Sequence, residues 1–153
     1  MAWKRIIIAL FLISSVVEAD EIKLSKIDSV IKTEVGYCGG NSPTTTYKEV
    51  CAGDTNHAEV VKIDFDEKII TYEKILKIFF QIHDPTTLNS QGPDFGTQYR
   101  SEIFYLNSKQ KIEAEKVLKD IDERLSGKVV TKISLLKNYC PAEEYHQKYL
   151  EKR

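Results

Sequence analysis

The chain has 153 residues, of which 42% are hydrophobic and 29% are charged, values typical of one globular domain with a hydrophobic core. Its formal net charge of −1 gives no reason to expect nucleic acid as a partner. The three cysteines, Cys38, Cys51 and Cys140, have spacings that fit neither a disulfide scaffold nor a zinc site, and we predict no metal.

The N-terminal segment has the pattern of an export signal. Lys4 and Arg5 precede an apolar run over residues 6–17, and Ala19 is a small residue placed for cleavage before Asp20. The run is too short to favour a membrane-spanning helix. We therefore predict that residues 1–19 are a signal peptide and that the protein is periplasmic or secreted.

The same segment has a second interpretation. Residues 6–13 form a continuous apolar run, which is also typical of a buried strand. In that case residues 1–19 supply the first strand of the domain, and a cytoplasmic location is expected. Residues 20–153 form the main domain in either case.

Apolar periodicity predicts four strands and two helices after residue 29. Thr71 is placed to cap the first helix, which Asp84-Pro85 ends, and Ser108 to cap the second, whose buried stripe is predicted to end at Leu125. In order, we predict strands at 30–37 and 59–65, a helix at 71–84, a strand at 101–106, a helix at 108–125 and a strand at 128–135. This order predicts an α/β fold, more specifically an α+β two-layer sandwich of ferredoxin-like arrangement.

Two polar segments interrupt this pattern. Residues 41–55 are turn-rich and contain one predicted helical turn at 47–51. Residues 86–100 form a loop long enough to indicate a functional role. The polar tail from residue 141 is predicted to be partly helical.

Four side chains in or beside these segments are candidates for chemistry. Glu59 shares a strand face with Val61 and Ile63, and a carboxyl group on an apolar face tends to have a raised pKa and can donate a proton near neutral pH. The phenols of Tyr47 and Tyr99 and the carboxyl group of Asp94 could bind a polar substrate oxygen. The alternatives are a solvent-facing Glu59, a turn-forming Asp94 and two half-buried surface phenols.

Four motifs run in order over about four-fifths of the chain: TEVGYCGG, TYKEVCAGDTNHAEVV, IHDPTTLNSQGPDFGTQYRSEIFY and PAEEYHQKYL. Together they resemble the signatures of A-type peptide methionine sulfoxide reductases. The resemblance implies the repair of oxidative damage by reduction of methionine-S-sulfoxide, free or in proteins and peptides, to methionine. A thiolate attacks the sulfoxide sulfur, a sulfenic acid remains, and a resolving thiol forms a disulfide that thioredoxin or another dithiol reduces. No cofactor is implied, and we expect a monomer.

The resemblance also implies roles for the four candidates. The glutamate at position 59 protonates the sulfoxide oxygen, and Tyr47, Tyr99 and Asp94 hold that oxygen or a water molecule. This agrees with the reading of Glu59 from its strand face, since a sulfoxide oxygen leaves poorly unless it is protonated.

The chain departs from the family at its nucleophile. The family opens with a GCFW segment, and an ungapped register from Val30 places its cysteine on Val16, so no nucleophile is found there. Cys51, Cys38 and Cys140 are candidate resolving thiols, with buried or semi-exposed free thiols as the alternative. The alternative function is therefore an inactive or truncated family member that binds methionine sulfoxide without reducing it.

Overall fold

The computed structural model describes residues 3–9, 24–27 and 30–147. Within these ranges, a six-stranded sheet carries the helices, and a small hairpin forms a second sheet. The strands are β1 (Trp3–Ala9), β2 (Val30–Cys38), β3 (Ala58–Asp66), β4 (Ser90–Gln91), β5 (Asp94–Phe95), β6 (Glu102–Tyr105), β7 (Lys132–Leu135) and β8 (Cys140–Pro141); the α-helices are α1 (Tyr47–Ala52), α2 (Tyr72–Ile82) and α3 (Ser108–Arg124).

The strand order of the large sheet is β7-β6-β1-β3-β2-β8. The β6–β7 pair is parallel, and the other neighbours are antiparallel. The predicted mixed α/β class is confirmed. The ferredoxin-like arrangement stays a prediction, because most of the connection from β1 to β2 lies outside the described residues.

The main core lies on one face of the sheet. Helix α2 buries a stripe at helical spacing that includes Ile75, Leu76 and Phe79, and this stripe packs with Val61 and Ile63 of β3. The opposite face carries a smaller buried cluster, composed of Cys38, Ala58, Val60 and Phe104. The alternating side chains of β2 and β3 therefore point into two different environments.

The N-terminal strand β1 lies in the middle of the sheet. It pairs with β3 from Trp3↔Asp66 to Ile8↔Val61, and with β6 from Ile7↔Phe104 to Ala9↔Glu102. Residues 3–9 thus form a strand, as in the second interpretation of this segment. The predicted cleavage before Asp20 falls outside the described residues, and the signal peptide stays a prediction. No helix in the described part of the chain is long and apolar enough to cross a membrane.

Two details of the predicted second helix are wrong. The N-cap is Asn107 rather than Ser108, because the Asn107 side chain accepts a hydrogen bond from the backbone N–H of Gln110. Leu125 is not part of the buried stripe, since it follows the helix as its C-cap and is 37% exposed. Ala114 and Val117 are buried as predicted, and Thr71 caps α2 as predicted.

Candidate active site

Glu59 is buried near the start of β3. Its side chain is 0% exposed and shares the face of Val61 and Ile63, which excludes the solvent-facing alternative. Tyr37 lies directly opposite on β2, so the two side chains stand on the same face of the sheet. The strand thus places a carboxyl group at the edge of the main core.

Tyr47 is the first residue of α1. Thr46 caps this short helix in a capping box, in which the Thr46 side chain accepts from the backbone N–H of Glu49 and the Glu49 side chain accepts from that of Thr46. Gly53 ends the helix in the left-handed conformation, with φ of 85°. The predicted helical turn at 47–51 is confirmed, and it fixes the point from which the Tyr47 side chain leaves the backbone.

The long polar loop has internal order. Gln91 closes it onto the end of α2, where its amide group accepts from the backbone N–H of Asp84 at 3.1 Å and donates to the Asp84 carbonyl at 2.5 Å. The hairpin β4–β5 then presents Asp94, and a 3₁₀ helix from Thr97 to Tyr99 packs against β3. One carboxylate oxygen of Asp94, Oδ2, is buried and makes no hydrogen bond with any described residue.

The four candidates lie near enough to influence one another's charge. Burial raises the pKa of Tyr99 to about 12, with further contributions from Glu59, Cys51 and Asp94. Burial also raises the pKa of Tyr47, with contributions from a hydrogen bond to Cys51 and from the charges of Cys51, Tyr99 and Glu59. Both phenols therefore keep their protons at neutral pH and can donate them in hydrogen bonds.

The three thiols differ in their relation to this cluster. Cys51 is one helical turn after Tyr47, is exposed, and has a raised pKa because of partial burial, which the hydrogen bond from Tyr47 opposes. Cys38 lies on the other face of the sheet, where burial raises its pKa to about 11. Cys140 is partly buried in β8. All three are free thiols.

Two residues of the site were not singled out from the sequence. The carboxylate of Glu143 accepts hydrogen bonds from the Tyr47 backbone N–H and from the Tyr37 hydroxyl, each at 2.8 Å. Glu143 is in the PAEEYHQKYL motif and Tyr37 in TEVGYCGG, so the motifs were a signal for both. Contacts across about 100 residues of sequence have no local periodicity by which they could be found.

The remaining buried histidines are structural. His57 accepts from the Gly40 backbone N–H through Nδ1 and bonds the Ser42 carbonyl through Nε2. His83 bonds the Phe79 carbonyl and the Ser101 hydroxyl, and burial lowers its pKa to about 4. Across residues 3–9, 24–27 and 30–147, no group of three or more His, Cys, Asp or Glu side chains could hold a metal ion.

Comparison with known proteins identifies the family of the chain. A family model described as peptide methionine sulfoxide reductase matches residues 19–153. A relative from Pelagibacter ubique, named peptide methionine sulfoxide reductase MsrA, is 77% identical over 133 residues, which cover 87% of this chain and 90% of the relative.

Solved structures give the same result. The crystal structure of Mxr1 from Saccharomyces cerevisiae in reduced form matches with a TM-score of 0.89 and 38% identity, covering 99% of this chain and 86% of that chain. Mxr1 in complex with Trx2 matches with a TM-score of 0.66 and 25% identity, covering 93% and 82%.

The chain therefore belongs to the peptide methionine sulfoxide reductase family. The resemblance predicted from the four motifs is confirmed, and so is the predicted class of oxidoreductase.

Proposed function

We propose that this chain reduces methionine-S-sulfoxide, free or in proteins and peptides, to methionine, as the names of its relatives indicate. The observation that carries the proposal is the fully buried carboxyl group of Glu59, whose charge contributes to the raised pKa values of the phenols of Tyr47 and Tyr99. Such a group can deliver a proton to a substrate that displaces water from the site.

Glu59 and its neighbours have different roles in the proposed reaction. Glu59 donates its proton to the sulfoxide oxygen, which turns that oxygen into a better leaving group. Tyr47 and Tyr99 donate hydrogen bonds to the same oxygen, since both phenols stay protonated at neutral pH. The buried Oδ2 of Asp94 is available to accept a hydrogen bond from a water molecule in the site. The raised pKa of Glu59 stays a prediction.

Reduction also needs a thiolate. It attacks the sulfoxide sulfur, the S–O bond breaks, methionine leaves, and the oxygen remains on the thiol as a sulfenic acid. A second thiol then releases water and forms a disulfide. Cys51 is the described thiol that contacts the cluster, through Tyr47. Because Mxr1 has been crystallised with Trx2, we propose a thioredoxin-like protein as the final reductant.

A second candidate function is binding of methionine sulfoxide without reduction. The observation that favours it is Val16, the residue on which the family's nucleophilic cysteine falls. Glu59, Tyr47, Asp94 and Tyr99 would then recognise the sulfoxide, and no product would form.

One experiment separates the two functions. Purified full-length chain is incubated with racemic N-acetylmethionine sulfoxide and dithiothreitol, and each epimer is followed by chiral chromatography; the R epimer is the internal control. Selective loss of the S epimer supports reduction. Saturable binding of the S epimer in an NMR titration, without product, supports binding alone. If the S epimer is neither reduced nor bound, both functions are contradicted.

Cysteine variants then locate the thiol. If Cys51 is the nucleophile, turnover is lost in C51S and kept in C38S, because the Cys38 thiol lies on the other face of the sheet. C140S is the control at the sheet edge. Equal turnover in all three variants would show that Cys51 is not the thiol that attacks the sulfoxide.

We also propose the ferredoxin-like arrangement as the frame of the site. Its support is the order β6-β1-β3-β2 of four antiparallel neighbours at the centre of the sheet.

A further inference from the structure

Residues 141–147 form a clasp along β2, beside Val35. The backbone N–H of Ala142 donates to the Val35 carbonyl at 3.0 Å. The Gln147 side chain accepts from the Val35 N–H at 2.9 Å and donates to the Val35 carbonyl at 3.0 Å. An amide side chain thus pairs with a strand residue as a neighbouring strand would. These bonds fix the clasp, and the clasp fixes Glu143.

Glu143 connects Tyr37 of β2 with Tyr47, the first residue of α1. Its Oε1 accepts from the Tyr47 backbone N–H and its Oε2 from the Tyr37 hydroxyl, both at 2.8 Å. Partial burial raises the pKa of Glu143, but these two bonds, a hydrogen bond from its own backbone N–H and the charge of His146 outweigh burial and hold that pKa below its ordinary value. Tyr37 in turn faces Glu59 across the β2–β3 pair. A single carboxylate therefore connects a strand position to the first residue of α1.

The ring of Tyr47 is held from the same side. His146 meets it edge-on, with 4.9 Å between the ring centroids, and His146 Nε2 lies 4.0 Å from Glu143 Oε2. The Thr46 hydroxyl accepts from the Glu49 N–H, and the acceptor for the Tyr47 N–H is the Glu143 carboxylate. The position and direction of Tyr47 therefore depend on the clasp.

We propose that Glu143 is a positioning residue for substrate recognition: by holding the backbone of Tyr47 and the hydroxyl of Tyr37, it sets the Tyr47 phenol toward the sulfoxide oxygen. This inference rests on the proposed function, because it takes Tyr47 as a contact of that oxygen. Glu143 itself touches no substrate atom. Glu143 affects binding only by way of Tyr47. A residue that merely stabilises the fold would not depend on Tyr47 in this way.

The test is a double-mutant cycle on binding. Affinity for the S epimer of N-acetylmethionine sulfoxide is measured by NMR titration for the full-length wild type, E143A, Y47F and the double variant. We expect E143A to bind about 10-fold more weakly, the effect of losing a hydrogen bond to a charged group. In the Y47F background the same change should have little further effect. E144Q is the matched control, since Glu144 is exposed in the same segment, and it should bind like the wild type.

E143Q is the conservative variant, because its amide oxygen can still accept from the Tyr47 N–H. It should recover part of the lost affinity, and it keeps the cycle measurable if E143A does not fold. Full additivity of E143A, or of E143Q, with Y47F would overturn the inference and leave the proposed function intact. Unchanged binding by Y47F, or no binding by the wild type, would overturn the inference, whereas selective loss of the S epimer in the turnover assay would still support the proposed function.

Discussion

The two faces of the sheet each bury a glutamate, and the two carboxyl groups have different neighbours. Glu102 lies on the Cys38 face, where Arg100 donates to it at 2.5 Å and the Ser134 hydroxyl at 2.6 Å. Glu59 lies on the helix face in electrostatic contact with Tyr47 and Tyr99. A carboxylate held by a guanidinium is fixed in position, whereas a carboxyl group placed among phenols suits proton transfer. Burial alone therefore does not identify a functional carboxyl group; its partners do.

The largest effect on stability is expected from removing β1, the strand between the two that carry these glutamates. Strand β1 separates β3, which carries Glu59, from β6, which carries Glu102. A chain that begins at Asp20 lacks this strand, so backbone groups of both neighbours lose their hydrogen bonds. We expect no cooperative unfolding transition in circular dichroism.

The matched control lacks only residues 1 and 2, which precede β1, and should unfold like the full chain. A cooperative transition in the chain that begins at Asp20 would show that β1 is dispensable. It would also fit the prediction that residues 1–19 are an export signal.

The next effect concerns Arg100. Its side chain is 14% exposed and that of Glu102 is 6% exposed, so R100A leaves a buried carboxylate without its cation. We expect a loss of about 3 kcal/mol in the free energy of unfolding, measured by urea denaturation. K77A breaks an exposed ion pair with Glu73 and should leave the midpoint nearly unchanged. Similar midpoints for R100A and K77A would show that Glu102 does not depend on its cation.

Glu59 should affect activity more than stability, the opposite of what we expect for the Arg100–Glu102 pair. E59Q preserves the shape of the side chain and removes the transferable proton, so we expect a small change in stability. Turnover should fall by about 100-fold, the contribution of a general acid. E102Q is the matched variant and should lower the unfolding midpoint. If E59Q destabilises the chain as E102Q does and keeps its activity, the contrast between the two glutamates is wrong.

The contrast could be predicted only in part from the sequence. The four strands predicted after residue 29, both main helices and the strand face that Glu59 shares with Val61 and Ile63 follow from local periodicity, and the four motifs identify the family. The place of β1 between β3 and β6, and the reach of Glu143 to Tyr37 and Tyr47, depend on pairings between distant segments. Such pairings leave no periodic pattern, because each involves one residue from each segment. The cap at Asn107 was missed because Asn107 and Ser108 are both good capping residues.

Glu34 offers the smallest and most specific test, because it has both kinds of partner. Lys62 donates to its carboxylate at 2.6 Å, and so does the Tyr139 hydroxyl. Burial raises the pKa of Glu34, but these hydrogen bonds and the charge of Lys62 outweigh burial and hold it below 4.5. The stabilisation is therefore complete above pH 4.5 and is lost as the pH falls through the lower pKa of the folded state.

E34Q should thus be less stable than the wild type at pH 6 by about 1 kcal/mol, a modest value because the side chain is partly exposed and water screens its charge. The difference should shrink as the pH is lowered toward 3, because the wild-type carboxylate then begins to take up its proton. E123Q, an exposed change on α3, controls for loss of one negative charge. If the difference between E34Q and the wild type stays constant or grows toward pH 3, the ammonium and the phenol do not favour the charged form of Glu34. The rule that partners decide the state of a buried carboxyl group would then fail at this position.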